Sequence, residues 1–151
     1  MIIPKEINKQ DIYSPYQIIS LEHPNSPTAP TNVLVSNTWF QHPYDLSGKT
    51  KYYPPPLAAN YSAPYDIISK VPKKILIVGS GTGNDTAYAL QKGVEEIDAV
   101  EIDPVIIDIG KKYHPQKPYQ SEKVNLIQND ARNFIQHTKN KYDLIVYGLL
   151  D

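Results

Sequence analysis

Residues 74–85 read KILIVGSGTGND, an apolar run that breaks into glycines at alternate positions, Gly79, Gly81 and Gly83, before polar residues suited to a helix start. A strand that turns sharply into a helix needs backbone conformations that side chains resist. A missing Cβ also lets a ligand lie against backbone N–H groups at the helix start. The stretch therefore predicts strand, turn and helix with a nucleotide-type pocket above the turn. The dinucleotide fingerprint is G-x-G-x-x-G, and Asn84 stands where its third glycine falls, so the alternate spacing suits S-adenosylmethionine better. The next apolar run, 97–102, carries Glu101, 22 positions after Gly79, where a carboxylate can take both hydroxyls of a ribose.

Working outward from this stretch, helices and strands alternate. A short helix with Pro64 in its first turn is expected to end near Lys70, and a first strand covers 75–78. A helix over 85–92 stops at Gly93, a natural left-handed position, and 97–102 forms the second strand. Asp103 and Pro104 are N-cap and first residue of a helix burying Val105, Ile106, Ile109 and Tyr113. Val124–Gln128 is the third strand, Asp130 caps a helix that includes Phe134 and Ile135, and Leu144–Tyr147 is the fourth strand. The order βαβαβαβ with fully apolar strands predicts an α/β fold with a mainly parallel sheet that binds ligands at the carboxyl ends of its strands.

Before residue 60 the composition differs, with 9 of the 14 prolines. There 16–21 (YQIISL) and 32–40 (NVLVSNTWF) read as β segments of a hairpin or small sheet, joined by a Pro/Asn/Ser/Thr linker. Residues 41–60, with Tyr52, Tyr53 and Pro54, read as an extended loop. Two regions follow, an N-terminal β-hairpin region with a Pro/Tyr-rich loop over 1–62 and a Rossmann-like unit over 63–151.

The chain's 151 residues hold 15 basic and 16 acidic side chains, with Arg132 the one arginine, so no footprint for nucleic acid or an anionic membrane is present. Without cysteine there is no disulfide framework, thiolate nucleophile or Cys-ligated zinc. No apolar run approaches the ~20 residues of a membrane span, the first ten residues lack a signal-peptide core, and a cytoplasmic setting is the expectation. His23, His42, His114 and His137 have no metal-ligand spacing, and Ser80 lacks the wider G-x-S-x-G pattern, so neither a metal site nor a hydrolase is expected.

ILIVGSGTGND, AVEIDP, NDARNFI, YDLIVYGLLD and the N-terminal SPYQII together resemble the spermidine synthase branch of the S-adenosylmethionine-dependent transferase superfamily. The pattern of GTGND, VEIDPVI and HPQKPY is most similar to a subgroup in which the module belongs to a larger, often membrane-associated bacterial protein. The resemblance implies a class I methyltransferase fold, truncated here after its fourth strand, with a small N-terminal β-rich region. It implies a thioadenosine ligand, S-adenosylmethionine or decarboxylated S-adenosylmethionine, and no metal. It puts Gln17 near the thioadenosine, Gly79, Gly81 and Gly83 under the sulfonium arm with Thr82 in the same motif, Glu101 on the ribose, and Asp130 with Ala131 at the adenine.

Three positions depart from the family pattern. Thr82 replaces an aspartate that holds the ligand amine. Gly148 stands where the first of two strand-end aspartates acts as base, and Asp151 falls at the second. Residues 61–66 (YSAPYD) have no clear counterpart of the family's Tyr-His-Glu or Tyr-Gln-Glu segment. An attacking amine must lose a proton, and glycine cannot take it. Asp151, Asp85 and Asp66 are the candidate substitutes, with Tyr147 beside the presumed acceptor site. Three readings stand open: aminopropyl transfer to a polyamine, methyl transfer to an unknown acceptor, and a non-catalytic sensing or interaction module. Should the fourth strand form an edge, self-association or union with the rest of a parent protein is expected.

Overall fold

The computed structural model describes residues 8–24, 29–49 and 55–148, the side chains of 55–59 excepted. Asp151 and the Tyr52-Tyr53-Pro54 run lie outside the described residues. Four N-terminal strands, β1 (Asn8–Tyr13), β2 (Ile18–His23), β3 (Asn32–Val35) and β4 (Thr38–Gln41), form one antiparallel meander in chain order. Of the expected hairpin or small sheet, the structure forms the sheet, with four strands. The stretch 32–40, read as one segment, is itself a hairpin, because Ser36 and Asn37 both take positive φ (48° and 63°), the left-handed pair that a two-residue turn requires. Ile19, Leu21 and Val33 on its inner face pack against Ile106 and Ile109.

Helix α1 spans Pro55–Asp66. It begins well before the expected Pro64 and takes in residues expected to be loop, since prolines 55 and 56 sit in its first turn, where their missing N–H groups have no intrahelical partner to lose. Pro64 lies inside it near the C-terminal end. The remainder follows the sequence closely: β5 (Lys74–Val78), α2 (Asn84–Gln91), β6 (Glu96–Glu101), α3 (Pro104–Tyr113), a 3-10 turn at Pro118–Gln120, β7 (Val124–Gln128), α4 (Ala131–His137) and β8 (Leu144–Tyr147). Their strands form a parallel sheet ordered β7-β6-β5-β8.

Both faces of the two central strands are packed, so β5 reads as a nearly unbroken apolar run, whereas β6 is interrupted by Asp98 and the outer strands β7 and β8 carry exposed residues. Ile75, Ile77, Ile97 and Ala99 face Ala89 and Val94, while Leu76, Val78 and Val100 face Ala131, Phe134 and Tyr142. On α3, Ile107 and Gly110 are buried beside the expected Ile106 and Ile109, and Val105 and Tyr113 are half-buried. β8 is an edge of the described sheet, with Ile145 46% and Tyr147 62% exposed, so Tyr147 is neither a core residue nor enclosed. Among the described residues no helix is long and apolar enough to cross a membrane.

Two packing features invite measurement. Asp98 on β6 is buried, and its carboxylate accepts from Asn125 Nδ2 (2.8 Å), Asn140 Nδ2 (3.0 Å) and Tyr142 Oη (2.6 Å), tying β7 and the segment before β8 to the sheet. Asp98→Ala strands three donors and should lower unfolding free energy in urea by roughly 2–4 kcal/mol. Gly110 lets α3 approach the glycine turn, for a Cβ there would lie 2.6 Å from the Thr82 carbonyl oxygen and 2.8 Å from the Tyr119 ring. Gly110→Ala should destabilise by a net of about 1–2 kcal/mol in the same experiment, despite alanine's better helix propensity.

Candidate functional site

The carboxyl ends of β5, β6 and β7 converge where β5 runs into α2. Gly79, Gly81 and Gly83 all take positive φ (69°, 57° and 104°), so the turn has the left-handed geometry that the alternate glycines predict. The Glu101 carboxylate closes it from the neighbouring strand. Oε2 accepts the Gly81 N–H at 2.8 Å, and Oε1 accepts the N–H groups of Ile102 (2.8 Å) and Asp103 (3.0 Å). Only 9% of Glu101 is exposed, and of roughly four lone-pair positions on a carboxylate these bonds leave one, on Oε2, unfilled.

The other amides of the turn are also taken. Ser80 N–H donates to Val100 O (2.9 Å), Thr82 N–H to Gln41 Oε1 (2.9 Å) and Gly83 N–H to Ser80 O (3.0 Å). A phosphate cradle needs several free N–H groups aimed at the anion. From 80 to 83 this turn has its amides bonded within the protein. The glycines serve close approach instead: a Cβ on Gly81 would lie 2.8 Å from Gln41 Oε1, and one on Gly83 would lie 2.7 Å from Pro118 Cγ.

Gln41 is the last residue of β4, and its Oε1 accepts from both the amide and the hydroxyl (2.7 Å) of the buried Thr82. One step further, Asn84 anchors the chain after β4: its Oδ1 accepts Tyr44 N–H (3.0 Å), and its Nδ2 donates to His42 O (2.8 Å) and Tyr61 Oη (2.9 Å). Below the turn the buried Tyr119 hydroxyl donates to Gly81 O (2.6 Å) and lies 2.9 Å from Ser80 Oγ. Desolvation pushes the Tyr119 hydroxyl well above its ordinary pKa, so it stays a donor. The N-terminal sheet therefore seats on the glycine turn through side-chain amides.

Gln17 is the last residue of the β1–β2 connection, and its Nε2 donates to Asp103 Oδ2 (3.2 Å). Asp103 is the α3 N-cap, accepting Val105 N–H on Oδ1 (2.9 Å), so Gln17 reaches the same corner as Glu101. Asp130 caps α4 by accepting Asn133 N–H (2.9 Å), and the residue before it, Asn129, donates its N–H to Glu101 O (3.1 Å). Asp130 is exposed, whereas Ala131 is half-buried against Val100 and Leu76. The structure thus brings Gln17, Gly79, Gly81, Thr82, Gly83, Glu101, Asp130 and Ala131 to one rim. Three residues that sequence reasoning did not assign to the site, Gln41, Asn84 and Tyr119, complete it. A glutamine ending a strand and an asparagine displacing a fingerprint glycine carry no signal until the partner segments are placed.

The candidate acids separate clearly. Gly148 has no room for a side chain, since its Cβ would lie 2.5 Å from Gly79 O while its N–H donates to Val78 O (2.9 Å). Asp66 is exposed and accepts from the Ser62 hydroxyl (2.7 Å). Asp85, in the first turn of α2, is half-buried, and burial pushes its carboxyl up to about 6. No group of three or more potential ligands among the described residues could hold a metal ion.

Comparison with known proteins agrees with this architecture. The sequence pattern of the spermine/spermidine synthase domain matches residues 65–151. A polyamine aminopropyltransferase of Buchnera aphidicola subsp. Acyrthosiphon pisum is 45% identical over 83 residues, 52% of this chain and 29% of that protein. One of Clostridium botulinum is 33% identical over 97 residues, 58% of this chain and 34% of that protein. The matched part thus spans about a third of the length of these curated relatives. Among solved structures, spermidine synthase from Thermotoga maritima superimposes with a TM-score of 0.67 at 19% identity, covering 97% of this chain and 48% of that one. A spermidine synthase in complex with the transition state analogue AdoDATO gives 0.69 at 19% identity, covering 95% and 49%. With the glycine turn, the Glu101 strand and the capped helices all falling inside a match to more than half of its length, the chain belongs to the spermine/spermidine synthase domain family.

Proposed function

We propose that this chain binds the thioadenosine part of a sulfonium donor, S-adenosylmethionine or its decarboxylated form, for aminopropyl transfer to a polyamine amine. The carrying observation is the Glu101 carboxylate, held by three backbone N–H groups at the mouth of a glycine turn whose amides from 80 to 83 are already bonded. Such a site offers an acceptor to a ribose hydroxyl and no free amide set to a phosphate. In this reading Glu101 Oε2 takes a ribose hydroxyl, Gln17 borders the thioadenosine, and Asp130 with Ala131 borders the adenine. In the same reading the sulfonium arm runs along the backbone of the turn formed by Gly79, Gly81, Thr82 and Gly83, whose Cβ positions at Gly81 and Gly83 are closed by Gln41 and Pro118. AdoDATO in the related complex and the aminopropyltransferase names of the curated relatives support the choice of donor and reaction.

The chemistry asks three things of the protein. It must fix the sulfonium carbon, admit an amine in line with the breaking C–S bond, and take up a proton. A second reading, methyl transfer, is favoured by the neutral Thr82–Gln41 pair beside the turn, which provides no charge to select a donor lacking its carboxylate.

Methylthioadenosine at a hundredfold excess over Kd should stabilise the chain by about 2.7 kcal/mol in thermal unfolding, while NAD at the same concentration leaves it unchanged. Glu101→Gln should weaken that binding at least tenfold, about 1.4 kcal/mol, and Gln17→Ala, which touches the fold more lightly, should weaken it less. Equal stabilisation by NAD would sink the reading.

A further inference from the structure

Asp85 is a half-buried carboxylate with no side-chain partner among the described residues. It accepts only its own backbone N–H, and no side-chain donor or cation among the described residues pairs with it. Near it stand tyrosines from α1 and from the 3-10 turn, two of the elements packed on α2. Tyr61 and Tyr65 come from α1, Tyr119 from the 3-10 turn, and their hydroxyls all feel its charge. Tyr88, one turn along α2, has its ring 5.6 Å from that of Tyr65.

An acid at this position is ordinarily explained by the helix dipole, which lowers a carboxyl's pKa. Here the shift is upward, because desolvation outweighs the dipole. A carboxylate kept from water, with open lone pairs and aromatic faces nearby, is the arrangement that receives an ammonium group. Five other carboxylates at the sheet and its helix caps are engaged elsewhere. Asp98 holds three donors, Asp103 and Asp130 cap helices, Glu101 holds three amides, and Asp143 accepts the N–H groups of Lys73 and Lys74. Gly148 cannot be extended into an acid without displacing Gly79.

We propose that Asp85 holds the ammonium group of the acceptor amine against the tyrosines of α1 and takes the proton that nitrogen gives up. This rests on the transferase reading above. The freed nitrogen lone pair forms the new C–N bond to the donor's propyl carbon. The C–S bond breaks with its electron pair on sulfur, the sulfonium becomes a neutral thioether, and the proton resides on Asp85.

The test is calorimetric titration of 1,4-diaminobutane into the chain saturated with methylthioadenosine, for wild type, Asp85→Asn and Asp85→Glu. Wild type should bind the diamine, Asp85→Asn should lose at least tenfold in affinity while keeping methylthioadenosine, and Asp85→Glu should recover part of the loss. Melting without ligand supplies an independent readout. A carboxyl raised from 3.8 to about 6 binds more protons folded than unfolded, so the contribution of Asp85 to stability falls as pH rises from 4 to 6. Asp85→Asn should therefore melt higher than wild type at pH 7, with the gap closing below pH 4. Diamine binding by Asp85→Asn equal to wild type, or none by loaded wild type, overturns the proposal and leaves the thioadenosine site standing. Failure of wild type to bind methylthioadenosine overturns both.

Discussion

The Glu101 carboxylate is the constraint on which the rest of the site depends. It ends β6, and by accepting Gly81 N–H on one oxygen and Ile102 and Asp103 N–H on the other it ties two adjacent strand ends together. Charge-assisted bonds to backbone donors are among the stronger hydrogen bonds a fold can make. They set the height of the glycine turn relative to the start of α3, and so the position of the Asp103 cap to which Gln17 donates. One side chain thereby positions three segments.

The N-terminal sheet reaches this corner through polar contacts laid on an apolar base. Ile19, Leu21 and Val33 bury against α3, which supplies most of the driving force, while Gln41 and Asn84 determine where the chain after β4 comes to rest. Burying unpaired amides is costly, so each of these side chains acts as a gauge of register. A displacement of β4 by one residue would leave Thr82 and Gly81 facing a different side chain. Gly81, Gly83, Gly110 and Gly148 mark the places where backbone meets neighbour too closely for a Cβ.

This crowding gives the departures from the family pattern a physical meaning. Where β8 ends, Gly148 has no room for a side chain beside the Gly79 carbonyl, although the neighbouring Tyr147 is exposed. Asp85 follows the glycine turn, in the first turn of α2, near tyrosines whose own ionisation burial suppresses, Tyr61 being pushed up to about 12.

Much of the α/β unit was legible because its signals are local. The span of β7, the span of β8, the Asp103 cap with Pro104 and the left-handed Gly93 follow from apolar runs, capping chemistry and glycine's freedom. The early start of α1 was hidden because prolines read equally as loop or as a helix's first turn. Likewise 32–40 concealed a two-residue turn at Ser36 and Asn37, residues that do not announce left-handed geometry as glycine does. By itself the sequence determined the strand order along the chain, the glycine turn and the acidic strand end, all governed by contacts between near neighbours. Only the tertiary structure decided that Gln41 closes the turn, that its amides are occupied, that Gly148 has no space and that Asp85 is half-buried with no side-chain partner among the described residues. Those outcomes depend on which distant segments share one volume, and desolvation and steric exclusion arise only once they do.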